Sequence, residues 1–240
     1  TSIQQRLHQM LVLRGDLLAG TTLADDALAS YYEAMELTNL NTERAALAER
    51  MALSLYRRGQ LEEAIALCEQ GVAMLGTNLT PTGIRQRVLL ESARLKALLA
   101  LVRFPEARTL CEQALSLVKP VALMLPSLAD TVRAYSHMAL GYMARFEGEP
   151  ALASEYLRKS VTHARAARLS EAEIDGWALL GCAQRDLGDF VSAEAAGQGA
   201  LTLAYARGND YSVAQCLHFL SLVSYNRNDL AQALERSKRA

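Results

Sequence analysis

The sequence predicts an all-α protein, a right-handed superhelix of about six stacked helical hairpins, and three observations carry that expectation. Forty alanines and 42 leucines make up about a third of the 240 residues, against only 14 glycines and 5 prolines, a composition that favours helix almost throughout. A helix, a glycine-containing turn and a second helix recur along the chain. In each recurrence one alanine stands at the same place near the start of the second helix, where a small side chain lets two helix axes approach closely.

Taken in chain order, the first unit carries Gly15, Ala27, Tyr31 and Ala34, and its inter-helix turn diverges from the others. The second turns at Gly59-Gln60-Leu61 ahead of Ala64, and the third at Arg103-Phe104-Pro105 ahead of Ala107. The fourth turns at Gly148-Glu149-Pro150 ahead of Ala153. The fifth is the clearest, with Trp177-Ala-Leu-Leu180-Gly181, then Gly188-Asp189-Phe190, Ala193 and Ala200-Leu201. In it Leu180 and Leu187 read as one helix face, and Ala193, Gly197 and Ala200 as the small stripe of the next helix. The sixth turns at Asn228-Asp229-Leu230 ahead of Ala233. Two helices cannot cover both of their own faces, whereas stacked hairpins can, so the unit must repeat.

The stretches 77–82, with Pro81, and 119–126, with Pro120 and Pro126, read as linkers between units, because proline holds the residue before it extended. No domain boundary is placed at either, and residues 1–240 read as one solenoid. The triplet Asn78-Leu79-Thr80 matches a glycosylation sequon but reads as a turn. Thr1 at the start and Ala240 part-way through a second helix suggest a segment of a longer protein. A solenoid end without a polar cap is expected to continue in that protein or to associate with another copy.

The helix–turn–helix unit at Trp177, with its copies, resembles the tetratricopeptide repeat (TPR). The anchor alanines are 37, 43, 46, 40 and 40 residues apart, longer than the 34 of that repeat. Long repeats of this kind are similar to the sensor part of MalT-type bacterial ATP-dependent transcription regulators. No Walker motif and no helix-turn-helix reader is present, so only a sensor part of such a protein is implied.

Charge and motifs narrow the function. Twenty-five Lys and Arg against 26 Asp and Glu leave a net charge of −1, which excludes a basic nucleic-acid binder, and no direct nucleic-acid partner is expected. No apolar run reaches membrane-spanning length, and no secretory signal is recognised, so a cytoplasmic chain with no membrane contact is expected. Cys68, Cys111, Cys182 and Cys216 form no close pair, and the four histidines have no metal-ligand spacing, so neither metal nor cofactor is expected. Cys68 and Cys111 read as core residues; Cys182 could be core or a reactive thiol. The acidic pairs Asp25-Asp26, Glu62-Glu63 and Glu171 with Glu173 open helices, where carboxylates stabilise the positive helix end. With no triad, nucleophile elbow or phosphate loop, an enzyme is not expected.

The TPR resemblance further implies a ligand groove lined by the first helix of each unit. Its template positions bring Tyr56 and Arg57, Lys96, Tyr135, Met138, Tyr142 and Arg145, Arg185, and Tyr225 to that face. The lysine and asparagine clamp of chaperone-binding relatives is not reproduced, since Val12, Asp16, Glu49 and Leu53 take comparable places. Tyrosine and arginine suit a binding surface, each pairing contact area with a polar tip. The leading expectation is a non-enzymatic module that binds a protein or peptide in the groove. The alternative is a sensing and self-association domain of a MalT-like regulator, bound by a small effector; a bare solvated groove is the structural alternative to both.

Overall fold

The structure is a computed structural model describing residues 3–19, 23–77, 80–116, 118, 122 and 125–240. Asn78, Leu79, Lys119 and Pro120, called above as turn and linker, lie outside the described residues. Twelve helices and no strand occur among those described. They are α1 (Ile3–Leu18), α2 (Ala24–Glu36), α3 (Asn41–Arg57), α4 (Leu61–Leu75), α5 (Pro81–Ala100) and α6 (Phe104–Ser116). There follow α7 (Pro126–Phe146), α8 (Pro150–Ala166), α9 (Ser170–Asp186), α10 (Phe190–Arg207), α11 (Asp210–Asn226) and α12 (Leu230–Arg239).

Contacts divide the chain into two compact units, Thr1–Leu110 and Cys111–Ala240. In the first, α1 packs on α2, α2 on α3, α3 on α4, and α5 on both α3 and α4. In the second, each helix from α7 to α12 packs on its neighbour in sequence, and α9 also touches α7 and α11, two elements away. That neighbour and next-but-one pattern is the signature of a stacked repeat.

One turn design closes most of these helices. A residue in the left-handed region follows the helix, and the next residue donates its N–H back five positions, as Asp189 does to the Gln184 carbonyl at 2.9 Å. Gly59, Gly148, Gly188 and Gly208 occupy the left-handed place, where no Cβ is penalised, but so do Val102, Arg168 and Asn228. The third turn therefore pivots on Val102, just ahead of the Arg103-Phe104-Pro105 sequence signal. Asp189, Asn209 and Asp229 then cap the helices that follow, each accepting an N–H three residues on at 3.0 Å.

The long spacing is explained by helix length. α9 has 17 residues and α10 has 18, so with two short turns a hairpin occupies 40 residues. Each helix is about one turn longer than a 34-residue period permits.

Ala27, Ala64, Ala107, Ala153 and Ala193 are all buried, while Ala233 is half-buried. At the α9–α10 crossing a Cβ on Gly181 would come within 2.7 Å of the Phe219 ring and 3.2 Å of the Ala193 carbonyl oxygen. Phe219 of α11 thus reaches into a space that only glycine leaves, and Leu220, Val223, Ala200 and Ala204 complete that core. One expectation is corrected: Leu180 is buried but Leu187 is exposed, because α9 ends at Asp186 and Leu187 belongs to the turn. At the far end Arg236 of α12 donates to the Leu220 carbonyl, to Ser224 and to Glu194 at 3.2, 2.7 and 2.6 Å. It ties α12 to both helices beneath.

Candidate functional site

The helices α3, α5, α7, α9 and α11 each end two residues before a left-handed turn residue, and that register repeats. It places Tyr56 and Arg57 at the end of α3, Arg145 and Phe146 at the end of α7, Arg185 and Asp186 at the end of α9, and Tyr225 at the end of α11. Within the second unit, a fixed offset from a fixed turn brings the last-turn side chains of α7, α9 and α11 to the same level of successive hairpins, which is why the repeat register could find them.

In the second unit two of the expected residues, Arg145 and Arg185, meet on Asp186, and a third, Tyr142, lies against Phe146; neither Asp186 nor Phe146 was selected from the sequence. Arg145 donates its Nε to Asp186, and Arg185 donates to the other Asp186 oxygen at 3.0 Å. The two guanidinium groups, from adjacent hairpins, converge on a single carboxylate and leave one net positive charge. Their side chains are 20% and 18% exposed, so this pairing is less screened than an ordinary surface ion pair. Tyr142, one turn before Phe146, lies against it with ring centroids 4.7 Å apart and the planes tilted by 31°, and the Arg145 guanidinium lies 5.9 Å from the Phe146 centroid. Phe146 is itself 53% exposed. The result is an aromatic shelf with a half-neutralised arginine pair beside it, suited to an apolar group next to an acidic one.

The other expected residues are placed differently. Tyr135 is half-buried and packs against the cores beneath it. Met138 is buried among Ala153, Leu157 and Leu180, under the face rather than on it. Tyr225 stands 64% exposed at the end of α11. Tyr56, Arg57 and Lys96 belong to the first unit, where Tyr56 and Lys96 are half-buried and Arg57 donates to the Ala19 carbonyl at 3.1 Å.

Cys182 lies one turn before Asp186. Burial pushes its thiol up, with Arg145 and Arg185 pulling the other way, so the thiol is the favoured form and the packing reading of Cys182 gains. Cys68, Cys111 and Cys216 are buried, and burial raises Cys68 to about 12 and Cys216 to about 11. Among the described residues no group of three His, Cys, Asp or Glu is placed to hold a metal ion. No helix there is long and apolar enough to cross a membrane.

No family model matches this chain, and no curated protein matches it in sequence. Solved structures do. A Rap protein complexed with competence and sporulation factor superposes with a TM-score of 0.68 at 14% identity, over 100% of this chain and 75% of that one. A signal transduction ATPase with numerous domains (STAND) and a tetratricopeptide repeat sensor, from Pyrococcus horikoshii, gives 0.64 at 14%, over 98% and 34%. A thermophilic TPR protein of Thermus thermophilus gives 0.58 at 20%, over 95% and 99%. The fold is therefore that of TPR-like helical repeats.

Proposed function

We propose that this TPR-like chain is a peptide-binding interaction module, and that the second unit's face built from Tyr142, Phe146, Arg145, Arg185 and Tyr225 receives the ligand. The observation that carries this reading is the Arg145–Asp186–Arg185 arrangement beside the Tyr142–Phe146 shelf. Two arginines sharing one carboxylate keep coordinating capacity for a second, which an acidic side chain or a C-terminal carboxylate of the ligand would supply. The paired Tyr142 and Phe146 rings would take the apolar residue next to it. The complex of the similar Rap protein with competence and sporulation factor is consistent with a binding use of this fold.

The test is a fluorescence-polarisation screen of acidic-hydrophobic peptides against the chain and against Arg145→Ala and Tyr142→Ala. Each variant is expected to weaken a bound peptide by roughly 1 to 2 kcal/mol, about five- to thirtyfold. Peptide affinities that both variants leave unchanged would overturn the assignment to this face. A second reading, an effector-sensing domain of a MalT-like regulator, is supported by the likeness to the STAND sensor protein and by the long repeat. It requires a metabolite that raises the melting temperature of the chain and loses that effect in the same two variants.

A further inference from the structure

Away from that face, the second unit holds a cavity of about 420 Å³ between the turn joining α8 to α9 and the turn joining α10 to α11. Its volume falls within the range of small-molecule sites. Tyr135, Leu169 and Ile174 supply apolar wall. Tyr135 and Leu169 both pack against the Ala134, Ala164 and Ala172 core, so this wall is held in place before any ligand arrives.

Arg168 and Arg207 line the same cavity, with Glu171, Ser170 and Asn209. Among the described residues neither guanidinium has an ion-pair or hydrogen-bond partner. Nearly every other arginine of the second unit is paired, as Arg133, Arg145, Arg165, Arg185, Arg227 and Arg236 show. Two guanidinium groups against the Glu171 carboxylate leave the wall with a net positive charge.

Arg168 is also costly where it stands. Its φ is 57°, and the equivalent turn place is glycine at 59, 148, 188 and 208, with Val102 and Asn228 the other side-chain-bearing cases. A side chain there is strained relative to glycine, so the turn design alone does not account for an arginine.

We infer that this cavity is a binding site for a small organic anion, with Arg168 and Arg207 taking its carboxylate or phosphate and Tyr135 lying against its apolar body. The site is separate from the Arg145–Asp186 face and does not depend on the peptide reading. Glu171 selects against ligands with two anionic ends and leaves Ser170 and Asn209 to meet hydroxyl or amide groups.

The experiment is a calorimetric titration of the whole chain with phenylacetate and with phenyl phosphate, benzylamine and phenol serving as cationic and neutral controls. Both anions, or one of them, are expected to bind about tenfold or more tightly than either control, and the preferred anion identifies carboxylate or phosphate as the group recognised. Arg168→Gly with Arg207→Gln is expected to abolish that preference, while Arg145→Ala leaves it intact. Arg168→Gly alone is expected to raise the melting temperature, so loss of binding in it cannot be attributed to unfolding. The inference is overturned if the anions bind no better than the controls, or if the double variant binds them as the parent chain does.

Discussion

The His137 imidazole stacks on His163, centroids 5.6 Å apart, and on Tyr156 at 6.1 Å. Burial, with the nearby charges of His163, Lys159 and Arg133, pulls its pKa from 6.5 down to about 4. The unfolded chain therefore binds a proton at this residue that the folded chain refuses between about pH 6.5 and 4, so stability falls as pH drops through that window. Because the ring is only half-buried, the expected loss is discounted to about 1 to 2 kcal/mol. Denaturant midpoints at pH 7.5 and 4.5 measure it, and His137→Gln should flatten the difference by that amount. A variant that loses as much stability on acidification as the parent chain would assign the effect elsewhere.

At the scale of elements, the crossing of α9 and α10 decides how closely hairpins stack. Gly181 lies against the Phe219 ring and the Ala193 carbonyl, and the Ala193 side chain is fully buried. Gly181→Ala gains roughly 1 kcal/mol of helix propensity but overpacks a rigid ring and a backbone oxygen, a cost of about 1 to 3 kcal/mol. The net expectation is destabilisation by about 1 kcal/mol, and Ala193→Leu should cost about 1 to 3 kcal/mol at the same contact. Urea unfolding checks both. Neutral or stabilised variants would mean that Phe219 can leave its place between the helices, and the hairpin register would then need revision.

For the molecule as a whole, a repeat protein is stabilised by each hairpin and by its contacts with its neighbours. Residues 126–240 contain three hairpins, α7 to α12, and the core clusters around Leu157 and Phe219 lie wholly within them. That segment is expected to fold without the rest of the chain, since stacked repeats of this number cover their own faces. Circular dichroism should show a helical segment with a cooperative thermal transition. A segment that is unfolded at 25 °C would place an indispensable part of its core in residues before 126.

The sequence by itself determined the helical class, the hairpin repeat and the positions that must be small. Those properties reside in local propensity, in turn chemistry and in a periodicity that survives weak similarity, as Ala64, Ala153 and Ala193 illustrate. It also brought Tyr142, Arg145 and Arg185 to one face, because a constant offset from the turn carries register from hairpin to hairpin. Tertiary structure decided the rest. The role of Asp186 follows from two side chains reaching it from different helices, and Met138 sits beneath the face because neighbouring hairpins close over it. The turns at Arg168 and Gly208 join one hairpin to the next, outside the hairpin template, so the repeat pattern does not reveal them. The cavity between them depends on how two such turns and Tyr135 are held apart in space, a distance that no spacing along the chain encodes.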